Sequence, residues 1–155
     1  MLERLTDGFP MKLMGGIFFL TLEKQLAMLL LFGILIFLDC FTRWIAISHA
    51  HLVSCGRQPT FLEAVCGIRE ARRRRLISSE IMKKRGTEKL ILYNLCVAAG
   101  IVSDALLQEA GVSTDGMAGI VVSYLAATEA LSVIENLSDA GVSSMTELLK
   151  KLRGR

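Results

Sequence analysis

Ionisable residues lie inside or at the edges of long apolar runs, among them Asp39, Arg43, Asp104, Glu129 and Glu135. In hydrocarbon a charged side chain costs about 2.5–3.5 kcal/mol at a helix centre on insertion scales, so it needs a partner, a proton or water. Asp39 and Arg43 are four residues apart, share one helical face and can pair within the helix. Glu129 has no cation one turn away, so its partner must come from another helix or from an aqueous lumen. The five residues are read as a polar seam that joins helices or lines a wet path.

Other chemistry is poorly supported. His49 and His51 form an H-x-H pair, but a zinc site needs more ligands than two. No phosphate loop, nucleophile elbow or zincin pattern occurs. No enzyme activity, metal or cofactor is expected. Cys40, Cys55, Cys66 and Cys96 make no C-x-x-C pair. Cys40 and Cys96 sit in apolar runs, where a thiol behaves as a small hydrophobe, and no disulfide framework is expected.

The elements that hold the seam follow from hydropathy. Apolar residues make up 52% of the chain and the mean hydropathy is +0.49. A chain of 155 residues cannot bury that much apolar surface in its own core, so a bilayer is the expected solvent. The apolar runs cover roughly residues 25–47, 89–107 and 117–134. The first carries no charge from Leu26 to Leu38 and is long enough to cross about 30 Å of hydrocarbon as a helix. Trp44 and Tyr93 suit the interfacial belts. Backbone amides in lipid must be satisfied internally, which selects helices. The expected fold is an all-α integral membrane protein, one membrane domain over residues 1–155 with three transmembrane helices.

The run Leu13–Leu22 is too short to span. It is expected to be interfacial, re-entrant or an extension of the first helix, with a bend plausible at Gly15 and Gly16. Its flanks mix Glu3, Arg4, Asp7 and Lys12 without a small-x-small cleavage site, unlike a signal peptide.

Charge sets the orientation. Residues 48–88 hold Arg57, Arg69, Arg72, Arg73, Arg74, Arg75, Lys83, Lys84 and Arg85, and the tail at 138–155 holds Lys150, Lys151, Arg153 and Arg155. The connection between the second and third runs has Glu109 and Asp115 and no base. The positive-inside tendency places the basic loop and the C-terminus in the cytoplasm, with the acidic loop and the N-terminus outside. Arg72 to Arg75 with Lys83, Lys84 and Arg85 are read as topology signals or contacts to anionic membrane lipids. No aromatic residues interleave with the arginines to stack bases, so nucleic acid is not an expected partner.

Two capping boxes are predicted, Thr60 to Glu63 and Ser144 to Glu147. The first opens an amphipathic cytoplasmic loop helix with Phe61, Leu62, Val65 and Ile68 on its apolar side. The second opens a basic C-terminal amphipathic helix carrying Leu148, Leu149 and Leu152. In the third run Gly119, Ser123 and Ala127 recur every four residues, a helix-packing face that favours a homo-oligomer.

The sequence also resembles the phage holin family that includes clostridial toxin-secretion holins. The resemblance rests on Glu129-Ala130-Leu131-Ser132-Val133-Ile134-Glu135-Asn136-Leu137 followed by Gly141-Val142, on Asp39-Cys40-Phe41-Thr42, and on Ser79 to Lys89 leading into the second run. Asp104 falls where family members often carry an Asp. Departures are Thr128 for the usual Asn, Arg43 for a common Gly, the absence of prolines after Gly141-Val142, and a longer loop before Ser79. The resemblance implies an oligomer in the bacterial cytoplasmic (inner) membrane that opens lesions and releases an endolysin or a toxin. The competing readings are a membrane-anchored structural subunit of a larger complex, recruited through the basic loop, and a small ion channel.

Overall fold

The computed structural model describes residues 9–112 and 116–154. Every described element is helical, in the order α1 (Phe9–Ser54), α2 (Phe61–Arg73), α3 (Ser79–Glu109), α4 (Met117–Asp139) and α5 (Ser143–Leu152). Among the described residues, three stretches are long and apolar enough to cross a membrane: Leu26–Ser54, Met82–Glu109 and Met117–Asp139. Their outward faces are apolar, with Leu30, Leu31, Phe37, Leu95, Leu106, Ile120 and Tyr124 all exposed. An apolar surface this continuous belongs against lipid or another helix, not against water.

The run Leu13–Leu22 lies within α1, whose backbone continues as helix through Gly15 and Gly16. Pro10 stands in the first turn, where its missing N–H breaks no intrahelical bond. At 46 residues the helix is about 69 Å long, so α1 overruns any single hydrocarbon layer.

The three spanning helices pack with α3 antiparallel to α1 and α4 parallel to it. Phe32, Ile36, Tyr93, Val97 and Leu125 form the core where the three meet. Phe32 and Tyr93 touch edge to face, ring centroids 5.6 Å apart, a favoured aromatic geometry. A second core gathers Ile45, Ala64 and Ala140 with Phe41, Val65 and Ile68. It joins the end of α1 to α2 and to the end of α4.

The expected loop helix is therefore α2, and its first capping box is formed. Thr60 Oγ1 accepts from the Glu63 amide, and the Thr60 amide donates to Glu63 Oε2 at 2.7 Å. The amide and then the hydroxyl of Thr60 hold the Glu63 carboxyl below its ordinary pKa. Val65 and Ile68 pack onto α1, whereas Phe61 and Leu62 stay exposed.

The second capping box does not form. Val142 is the N-cap of α5, without a side-chain cap bond. Gly141 turns the chain at φ +84°, with Gly141 N donating to Ser138 O at 3.0 Å and Val142 N to Leu137 O at 3.1 Å. This αL closure of α4 starts α5 at Ser143, leaving Ser144 inside the first turn, beyond the cap position. Ser138 and Thr146 instead link the two helices through their hydroxyls at 2.9 Å. Asp115, half of the expected acidic loop, lies outside the described residues.

Candidate functional site

Residues on three helices converge below the second core. Asp39 and Thr42 come from α1, three residues apart. Lys89 and Tyr93 come from α3, four apart. Glu129 and Asn136 come from α4, seven apart. Each spacing puts the pair on one helical face, and the three faces meet.

Lys89 Nζ donates to Asp39 Oδ2 at 2.8 Å and to Glu129 Oε1 and Oε2 at 2.9 and 3.1 Å. An ammonium has three N–H groups, and these oxygens engage them. Tyr93 donates its hydroxyl to Glu129 Oε1. Asn136 Nδ2 donates to Asp39 Oδ1 at 2.9 Å, to the Asp39 carbonyl at 3.2 Å and to Thr42 Oγ1 at 3.3 Å. Thr42 Oγ1 donates back to the Leu38 carbonyl at 2.9 Å. Every carboxylate oxygen of the cluster thus has a donor.

The burial is graded. The side chain of Glu129 is 1% exposed, that of Asp39 17% and that of Lys89 35%. A carboxylate sealed this way is tolerable only when paired and fully hydrogen-bonded. A cleft of about 460 Å³ lined by Arg43, Arg85, Ser132 and Glu135 reaches Asp39, Lys89 and Asn136 from one side. The cluster is therefore sealed toward Tyr93 and open toward Arg85.

The five seam residues have divergent placements. Asp39 and Glu129 meet across Lys89. Arg43 does not pair with Asp39. It faces Asp139 of α4 at 3.6 Å, with both side chains more than half exposed, because Asp39 is already taken by Lys89 and Asn136. Asp104 stands apart at the far end. Its Oδ1 accepts from Met117 N at 2.6 Å and its Oδ2 from Ala118 N at 3.0 Å. It thereby satisfies two amides that the first turn of α4 leaves without partners. Glu135 pairs with Arg153 of α5 at 2.7 Å.

Gly119, Ser123 and Ala127 are exposed, and a Cβ on Gly119 would meet nothing within 4 Å. The close approach lies elsewhere. A Cβ on Gly100 would stand 2.8 Å from Ala118 Cα, so only glycine lets α3 and α4 meet there. Of the basic run, Arg74 pairs with Glu70 at 2.9 Å. Arg72, Arg73, Arg75, Lys83, Lys84 and Arg85 are exposed. No group of three His, Cys, Asp or Glu side chains among the described residues is placed to hold a metal.

Hydropathy and charge patterns do not single out Lys89, Tyr93 and Asn136 as site residues. Lys89 and Tyr93 look like the edge of a span, and an uncharged Asn draws little notice beside Glu129. Their signal is the shared-face spacing with their neighbours on each helix.

A model of the bacteriophage holin family matches residues 59–154. No curated protein matches the chain, and no solved structure does. The match takes in α2 to α5, and with them Lys89, Tyr93, Glu129 and Asn136; α1 lies before it and is tied to it through Asp39 and Thr42. With more than half of its length matched and three apolar helices around a polar centre, the chain belongs to the bacteriophage holin family, a membrane pore-forming and non-enzymatic family.

Proposed function

We propose that this chain assembles as a homo-oligomer in the bacterial cytoplasmic (inner) membrane and opens lesions through which an endolysin or a toxin leaves the cell. The observation that carries the reading is the cluster of Asp39, Lys89, Tyr93, Glu129 and Asn136, held inside a bundle whose outer face is apolar. In the closed protein these groups satisfy one another. If the helices part on assembly, the same groups become a polar lining that water can wet, which lowers the cost of a lumen.

The exposed Gly119, Ser123 and Ala127 face is the surface offered to neighbouring copies, since small residues let helices approach closely. The basic loop and the C-terminus face the cytoplasm on charge grounds. Arg43, Asp104 and Glu135 act as structural ties in this scheme: Arg43 and Glu135 bind helix ends together, and Asp104 caps α4.

The test is a lysis time course in bacteria at matched membrane levels of protein. Glu129→Gln keeps the size and one acceptor oxygen for Lys89 and Tyr93 but removes the charge, and should insert and assemble while shifting the time or extent of permeabilisation. Glu129→Leu should insert at least as well and permeabilise poorly. Gly119→Leu should weaken crosslinked oligomer ladders. Wild-type timing in both Glu129 variants would leave the cluster a passive tie. Inert accumulation of the wild-type protein would favour the anchored subunit, and a selective conductance would favour the ion channel.

A further inference from the structure

A second groove, which adjoins the cleft over the polar cluster at Cys40, Met82 and Gly86, runs along the outside of the bundle between α1 and α3. It encloses about 610 Å³. Its floor is apolar, formed by Gly33, Ile36, Phe37 and Phe41. Arg72 and Lys83 stand at one end beside Trp44, and no acidic residue lines it. The cleft over the cluster, by contrast, mixes the carboxylates Asp39 and Glu135 with Arg43, Arg85 and Lys89 along its walls. Arg72 and Lys83 are exposed, and neither makes an ion pair among the described residues. Their charge is free to be met from outside.

The dimensions identify the occupant. From Trp44 to Gly33 is eleven residues of helix, about 16 Å. Half of a hydrocarbon layer of about 30 Å is nearly the same depth. Trp44 marks the interfacial end, its indole N–H held by Met82 Sδ at 2.9 Å. A Cβ on Gly33 would meet nothing within 4 Å, so the far end of the groove is open space. The groove thus has two cations at headgroup level and an apolar channel one leaflet deep.

We propose that this groove is a binding site for one anionic diacyl phospholipid, its phosphate held between Arg72 and Lys83 and one acyl chain laid along Ile36 and Phe37 to Gly33. The site draws on the spanning geometry and the two cations, and stands whether or not the chain opens lesions.

Trp44 is the one tryptophan in the chain and sits in the groove, so its fluorescence reports occupancy. The purified full chain is placed in phosphatidylcholine bilayers containing equal mole fractions of brominated phosphatidylglycerol or of brominated phosphatidylcholine. Lipids that merely surround the protein quench both samples equally. The expected result is an excess quenching by phosphatidylglycerol. Arg72→Gln and Lys83→Gln should each reduce the preference about fivefold, from the attraction of one basic side chain for an anionic surface. Gly33→Phe leaves both cations in place and fills the open end, and should remove the excess. Equal quenching by the two lipids in the wild type would overturn the site. So would an excess that survives in Gly33→Phe, because the basic cluster would then attract anionic lipid without using the groove. Far-UV helicity equal to wild type qualifies each variant, and the exposed Arg72 and Lys83 keep the test available if Gly33→Phe does not fold.

Discussion

Lys89→Met removes the one cation that serves both Asp39 and Glu129 while keeping an apolar stem of similar length. Three hydrogen bonds at 2.8, 2.9 and 3.1 Å are lost. Glu129, with its side chain 1% exposed, keeps only the Tyr93 hydroxyl. Breaking a buried pair from one side costs about 3–5 kcal/mol, because the other charge stays buried without compensation. Lys89 itself is 35% exposed, so solvent already screens part of the pair, and the expected loss is about 3 kcal/mol, the lower end of that range. The assay is reversible unfolding of the purified protein in detergent, followed by far-UV circular dichroism. Adding Glu129→Gln to Lys89→Met takes away the stranded carboxylate and should recover about 1–3 kcal/mol, a coupling typical of residues in one network. A loss under about 0.5 kcal/mol, as at an ordinary surface site, would refute the reasoning. A double variant no more stable than the single one would refute it too.

Three further outcomes are expected. Gly100→Val should cost about 1–3 kcal/mol in the same assay, because its Cβ would stand 2.8 Å from the Ala118 backbone. Asp104→Ala should cost about 1 kcal/mol, as loss of a helix cap does, and Asp104→Asn should cost less, since one acceptor oxygen remains for Met117 or Ala118. Val112→Cys, in a background without native cysteines, should be labelled from outside intact cells. A single cysteine at position 55 should stay silent under the same reagent, and the reverse pattern would invert the proposed topology.

Hydropathy and charge are properties of neighbouring residues, and what depends on them is legible in the sequence. The apolar stretches around Leu26–Leu38, Ile91–Leu107 and Met117–Ile134 demand helices because lipid offers backbone amides no partner. The Thr60 to Glu63 cap is equally local, since both partners lie within one turn. The departures are also physical. Ser144 to Glu147 has the letters of a capping box, but Gly141 closes α4 so tightly that α5 begins two residues early, and only the path of the chain shows that. Asp39 and Arg43 have the spacing of an ion pair. Choosing between Arg43 and Lys89 as the partner of Asp39 requires knowing that α3 runs antiparallel to α1, fifty residues away in sequence. By itself, the sequence determined the solvent, the number of spanning helices and the presence of buried charge in need of a partner. Tertiary structure decided which charges meet, that Gly100 and not Gly119 carries the close helix contact, and that an apolar groove ends at Arg72 and Lys83. Those outcomes depend on how helices are rotated and staggered against one another, which no single helix encodes.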